Sequence, residues 1–365
     1  QGARRMTSVR VERIRKLLLE RQLDALIVNG RANLRYVSGF TGSSGAALLP
    51  AEAEGQPRFF TDFRYQEQLA VEVDGAFERE IIAGQLLDGL AAELPSGRVG
   101  FDDATTTVAE RARLEEHVGA RTELVAAGGL VEGLRAVKDA GEIDRIAAAA
   151  ALVDGIYEWL VERGFAGRQE REVAIELEHE MRMRGASGPS FGSIVASGPH
   201  AALPHAQAAD TPIVSGTLVT VDIGAVLDGY CSDCTRTFAV GEPAPQAREI
   251  YELVLAAQVA GLDALEPGLS GVAVDAKARV VIDDAGYGEF FGHGLGHGVG
   301  LEIHESPRLS RHASDEPLLA GNIVTVEPGV YLPGVLGVRI EDLVVVTDEG
   351  ARRLSHFTKE LLVVD

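Results

Sequence analysis

The spacing of apolar positions divides this chain of 365 residues into two textures that meet near residue 128. In the first, Met6 to Gln22 carries Val9, Ile14, Leu17 and Leu18 at helical spacing. Short apolar runs predict strands within Leu23 to Asn29, Ala46 to Leu49, Arg58 to Asp62 and Val99 to Asp102, with helical stretches near 64–72 and 107–117. Strands alternating with helices predict an α/β domain whose parallel or mixed sheet is covered by helices. The loop Gly39-Phe-Thr-Gly-Ser-Ser-Gly45 has neither G-x-G-x-x-G nor a P-loop Lys-Ser/Thr ending, so it reads as a strand-connecting turn.

In the second texture a long amphipathic helix over Glu142 to Gly164 is followed by another over Gln169 to Arg184. Two strand patterns, 217–224 and 230–240, come next, and then the order recurs: helices near 247–265 and 271–285, a Gly/His stretch, and strands near 322–331 and 337–347. Ser215-Gly-Thr-Leu-Val-Thr-Val-Asp222-Ile-Gly224 aligns with Ala320-Gly-Asn-Ile-Val-Thr-Val-Glu327-Pro-Gly329 at an offset of 105. Both glycines, Val-Thr-Val and the acid stay in register, which points to a duplicated half-domain. Its pseudo-two-fold axis places Asp222 and Glu327 equivalently.

Charge narrows the function. With 34 Lys+Arg against 55 Asp+Glu, the net charge is −21. That excludes non-specific nucleic-acid binding, which needs a basic face, and disfavours anionic membranes. No apolar run reaches the ~18–20 residues of a membrane span. Two Cys cannot form a disulfide framework and suit the reducing cytoplasm. Gln1 to Arg5, without an apolar segment behind them, read as a non-native leader ahead of a natural start at Met6 rather than as a signal peptide.

The chemistry concentrates in four acids and a histidine stretch. A hairpin turning at Leu227-Asp228 sets Asp222 opposite Asp233, and symmetry about Gly334 sets Glu327 opposite Glu341. All four lie in apolar strands, where an unpaired charge is costly. Arg236 and Arg339 are too few to neutralise them, whereas two divalent ions suffice. The softer ligand comes from His293-Gly-Leu-Gly-His297-Gly-Val-Gly-Leu-Glu-Ile-His304. Its His-x3-His spacing lacks the helix and Glu of the zinc proteases, and its glycines let backbone approach a site. Carboxylates with one imidazole suit Mn, Co, Fe or Zn in a two-metal hydrolytic site.

Two other motifs carry less. Gly188-Pro-Ser190-Phe-Gly192 matches a nucleophile elbow in letters, but a helix precedes it and none follows. Cys231-Ser-Asp-Cys234 on a strand turns its thiols to opposite faces and reads as packing.

Taken together, Asp222-Ile-Gly, Tyr230-Cys-Ser-Asp-Cys-Thr-Arg-Thr237, His293-Gly-Leu-Gly-His-Gly-Val-Gly, Ile303-His-Glu, Thr325-Val-Glu-Pro-Gly329 and Val338-Arg-Ile-Glu-Asp342 resemble the pita-bread metallopeptidases. These include Xaa-Pro aminopeptidase, prolidase, methionyl aminopeptidase and creatinase. The resemblance implies an α/β creatinase-like N-terminal domain over 1–128 and an α+β pita-bread catalytic domain over 129–365. It makes Asp222, Asp233, His297, Glu327 and Glu341 the ligands of two divalent metals (manganese, or else cobalt or zinc), with Asp233 and Glu341 bridging. Glu327 would also shuttle the proton. His205 and His304 would contact substrate, His293 would be a further active-site histidine, and Arg339 would lie behind the ligands near Glu341. Gly39 to Gly45 and Phe60-Thr-Asp-Phe-Arg-Tyr-Gln-Glu-Gln68 look more like Xaa-Pro aminopeptidase than prolidase, the second choice. A non-catalytic binding protein of the same fold would be expected to have lost ligands, and none is missing. The implied partners are peptides with proline at position 2 and a second copy of the chain, in the cytoplasm.

Overall fold

The computed structural model describes residues 2–365, with side chains from Ser8 onward; Gln1 and the side chains of the segment read as a leader lie outside the described residues. Two compact units divide between Arg135 and Ala136. In the first, strands β1 (Ala25–Val28), β2 (Ala46–Pro50), β3 (Arg58–Thr61), β4 (Glu78–Ile81), β5 (Gly97–Phe101) and β6 (Thr122–Ala126) form one sheet in the order β4-β3-β2-β1-β5-β6. It is mixed: β2 runs antiparallel to β1 and β3, while the other three pairings are parallel. The edge strands β4 and β6 escape the sequence reading because they lack a continuous apolar run. Helices α1 (Gly2–Glu20), α2 (Arg31–Ser38), α3 (Gln66–Glu72), α4 (Leu86–Ala92), α5 (Val108–Val118) and α6 (Leu130–Ala136) accompany the sheet. Residues 129–135 belong with this unit because α6 is tied to it: Asn33 donates to Glu132 at 2.5 Å and accepts from Arg135 at 2.7 Å. The Gly39 loop is a connection from α2 into β2, opened by a left-handed Gly39.

The second unit contains α7 (Ala140–Arg163), α8 (Glu170–Met183), β7 (Gly188–Pro189), β8 (Ile194–Ser197), β9 (Thr217–Ile223), β10 (Ala225–Leu227), β11 (Tyr230–Cys231) and β12 (Cys234–Val240). Then come α9 (Pro245–Asp263), α10 (Gly271–Asp284), β13 (Gly296–Gly298), β14 (Glu305–Leu309), β15 (Ile323–Val326), β16 (Gly329–Leu332), β17 (Leu336–Arg339), β18 (Asp342–Thr347) and β19 (Gly350–Arg353). The duplication is physical. α7 and α9 begin at Ala140 and Pro245, separated by the same 105 residues as the letter repeat. Each helix pair is followed by three antiparallel strands, β12-β9-β8 in one half and β18-β15-β13 in the other. α7 starts at a capping box between Asp139 and Glu142 and ends where Gly164 leaves helical backbone at φ 72°. Val153, Ile156 and Leu160 of α7 pack with Val219, Val221 and Ile223 of β9; Ile250 and Val254 of α9 pack with Val324 and Val326 of β15. No helix among the described residues is long and apolar enough to cross a membrane.

The predicted strands around the acids are broken where the sequence reading makes them continuous. The run 322–331 divides into β15 and β16 at Glu327-Pro328, and 337–347 divides into β17 and β18 at Ile340-Glu341. Pro328 has no N–H for a ladder, and the bends lift both glutamates out of the sheets. Symmetry about Gly334 holds on either side of the gap, with Val326 opposite Asp342 and Gly329 opposite Arg339. Asp222 and Asp233 differ from expectation: Asp222 pairs with Thr235. Asp228 and Gly229 both take positive φ, 47° and 76°, so the tight turn lies one residue later than predicted. Asp233 lies outside the ladder, between β11 and β12.

Candidate active site

The bends and chain breaks bring the five ligand candidates together. One carboxylate oxygen each of Asp222, Asp233 and Glu341 lies within 4.8 Å of the other two, and all three residues are buried. His297, on β13, holds Nε2 3.3 Å from Glu327 and 3.5 Å from Asp233. Its Nδ1 lies 3.0 Å from the Gly298 carbonyl, which assigns the proton to that nitrogen and leaves the Nε2 lone pair facing carboxylates. Glycine makes this approach possible: a Cβ at Gly296 would stand 2.0 Å from the Thr325 carbonyl oxygen.

Burial, followed by the negative charges of Glu341 and Asp222, pushes Asp233 well above the usual carboxylate range; burial, then Glu327 and Asp222, does the same to Glu341. Burial also raises Glu327 and lowers His293, His297 and His304, keeping their imidazoles neutral. Asp222 Oδ1 and Glu341 Oε1 are buried without a hydrogen-bond partner. Orphaned carboxylate oxygens and an imidazole lone pair converging on one place fit divalent cations and little else.

Arg339 supplies part of the compensation from behind the ligands. It donates from Nη2 to Asp222 Oδ2 at 2.6 Å and reaches Glu341 through Thr235, whose hydroxyl accepts from Arg339 Nε and donates to Glu341 Oε2 at 2.7 Å. Arg236 pairs with the Asp342 carboxylate, and its Nη1 donates to the Glu341 backbone carbonyl rather than to a ligand carboxylate. His293 Nδ1 faces the Gly294 carbonyl, so its Nε2 accepts from the Tyr331 hydroxyl, which accepts from Arg339 Nη1 in turn.

Tyr331, Thr235 and Thr325, which donates to Glu327 at 3.0 Å, were not legible as site residues. They resemble ordinary strand positions; the sole hint is that Thr235 and Thr325 stand two residues from the ligand candidates Asp233 and Glu327, and Tyr331 has none. Asp275 and Arg279 on α10 were also missed. Arg279 donates to the Phe291 and His293 carbonyls, and Asp275 accepts from Leu295 N, so this pair satisfies the backbone of the glycine-rich stretch.

A cavity of about 950 Å³ opens on the cluster. Its wall includes Asp222, Asp233, His297, Glu327 and Arg339, together with His205, His293 and His304, and the cations Arg171 and Arg308. His304 packs edge-on to His297 with ring centres 4.4 Å apart. Ser190, the elbow decoy, follows a two-residue strand and leads to β8 rather than a helix. Cys231 and Cys234 are both buried and lie in different apolar clusters.

Comparison with known proteins agrees with this geometry. Residues 135–348 match the model of metallopeptidase family M24, and residues 10–137 match the creatinase/prolidase N-terminal domain. The uncharacterized peptidase YqhT of Bacillus subtilis is 42% identical over 98% of this chain and 100% of its own. The solved Xaa-Pro dipeptidase of Bacillus anthracis superposes with a TM-score of 0.93 at 40% identity, covering 98% of this chain and 100% of that one. An X-Pro aminopeptidase from Thermotoga maritima gives 0.86 at 36%, over 94% and 99%. With the creatinase-type domain first and the duplicated catalytic domain after it, the chain belongs to metallopeptidase family M24.

Proposed function

We propose that the chain hydrolyses the peptide bond preceding proline, using two divalent ions held by Asp222, Asp233, His297, Glu327 and Glu341. The observation that carries the metal centre is the pair of orphaned carboxylate oxygens, on Asp222 and Glu341, inside the acidic cluster. The mainly oxygen donor set favours manganese, with cobalt or zinc as substitutes. When bound, such ions supply Lewis acidity toward the scissile carbonyl and acidify water. Glu327, raised by burial and steadied by Thr325, takes the proton of the attacking water and returns it to the leaving prolyl nitrogen. His205 and His304, on the cavity wall, donate to the carbonyl oxygen as charge develops there. Arg339 holds Asp222 in place.

For substrate length, the dipeptide reading has two supports: the Bacillus anthracis relative is a dipeptidase, and Arg308 gives the cavity a cation for a free prolyl carboxylate. The aminopeptidase reading is supported by the Gly39 and Phe60 motifs and by the Thermotoga relative. Hydrolysis of Ala-Pro is compared with Ala-Pro-Ala-Ala, in wild type and Arg308→Ala. The dipeptide reading expects Ala-Pro to be preferred and its KM to rise about tenfold or more in the variant. Cleavage of the tetrapeptide alone selects the aminopeptidase. A homodimer and a cytoplasmic site of action belong to the same proposal.

A further inference from the structure

His205, assigned above to substrate contact, is exposed on an irregular loop. Apolar packing beneath it is slight, a cluster of Ile194, Ala196, Ala201 and Ala206. Three alanines and one isoleucine bury little area, so hydrogen bonds must fix the loop.

Most of those bonds end on one carboxylate. Glu170, in the first turn of α8, has no solvent exposure. Its Oε1 accepts from Ser197 N at 2.7 Å and Ser197 Oγ at 2.8 Å; its Oε2 accepts from His200 Nδ1 at 2.7 Å and Ala209 N at 3.3 Å. Ser197 precedes the loop, His200 lies in its 3₁₀ turn (Gly198–Ala202), and Ala209 is where it returns. The backbone beside Glu170 adds two ties, Glu170 N to Thr211 O and Arg171 N to Ala209 O. Between these anchors stand His205 and Pro204, whose carbonyl accepts from Arg339 Nη1.

We propose that Glu170 is a positioning residue for His205: its buried carboxylate straps both ends of the 197–209 loop together and so fixes where the imidazole meets the substrate. This rests on His205 acting in the reaction. Glu170 touches neither substrate nor metal ligands, so its effect must pass through the loop. Glu170→Gln keeps the shape but replaces one accepting oxygen with an amide that cannot accept from the same donors.

The test is a double-mutant cycle on the metal-loaded enzyme with Ala-Pro as substrate, alongside metal content by elemental analysis. His205→Ala should lower kcat/KM, and Glu170→Gln should lower it about 10- to 100-fold, the scale of misplacement of a reacting group by about 1 Å. The double variant should be no worse than His205→Ala alone, and metal content should stay at the wild-type value in all three. Ser197→Ala, which removes one bond of four, repeats the cycle if Glu170→Gln fails to fold; it should cost a few-fold in wild type and nothing in the His205→Ala background. Losses that multiply, or metal lost in step with activity, overturn the proposal. A neutral Glu170→Gln beside an impaired His205→Ala rejects the strap alone. A neutral His205→Ala rejects the assigned role of His205, and the strap with it.

Discussion

Removing the metal should make stability fall as pH rises, and the structure indicates by how much. Ligand oxygens of Asp222, Asp233 and Glu341 lie within 4.8 Å of one another. At an effective dielectric constant of about 20, two like charges at that distance repel by about 3 kcal/mol, and three ionised pairs by about 10. This is comparable with the whole stability of a domain, about 5–15 kcal/mol. The metal-free protein therefore keeps protons on the cluster, in line with the raised Asp233, Glu341 and Glu327. A carboxylate whose folded pKa exceeds its unfolded value of about 4 stabilises the fold below that value and loses the contribution as pH climbs through the folded pKa. The neutral histidines have the opposite sign, because their lowered pKa stabilises the fold above an unfolded value of about 6.5, so the comparison belongs above that pH. Thermal unfolding is measured for chelated and Mn-loaded protein at about pH 7 and about pH 8. At about 100 Kd of free ion each site adds about 2.7 kcal/mol, or about 5–11 °C at this domain size. The gap between the loaded and chelated Tm should widen toward pH 8. A gap that stays constant, with a chelated protein indifferent to pH, refutes the account of the acidic cluster.

Glu327→Gln should retain most bound metal but lose turnover, since the amide cannot carry the proton; kcat near wild type refutes the shuttle. Gly337→Ala should be costly, because a Cβ there meets the Ala201 carbonyl oxygen at 1.8 Å and its carbon at 2.4 Å. A loss of about 3 kcal/mol, or about 6–12 °C in Tm, is expected by calorimetry, together with reduced activity, since Ala201 lies at the base of the His205 loop. An unshifted Tm means the two backbones can part freely.

Residue types and the duplication are legible in the letters alone. The 105-residue repeat in letters is the same repeat that starts α7 and α9, because each half must bury the same apolar helix faces and strands. Symmetry about Gly334 was legible for the same reason: a short hairpin leaves one register in which the apolar faces match. The expected Asp222–Asp233 pairing failed because one choice of turn, Asp228-Gly229 instead of Leu227-Asp228, moves every partner by two residues. Edge strands such as β4 bury too little to leave a signal.

How the charges are shared emerges only when the chain is folded. Nothing local in the chain says that Arg339 turns to Asp222, that Arg236 pairs with Asp342 rather than with a ligand carboxylate, or that Thr235 links Arg339 to Glu341. Such choices join residues about a hundred positions apart, and they are set by which buried donor lies nearest which buried acceptor once the two halves have closed around the cavity. Hydrophobic period is a property of a segment and survives in one dimension, whereas the satisfaction of buried polar atoms is a property of the whole fold.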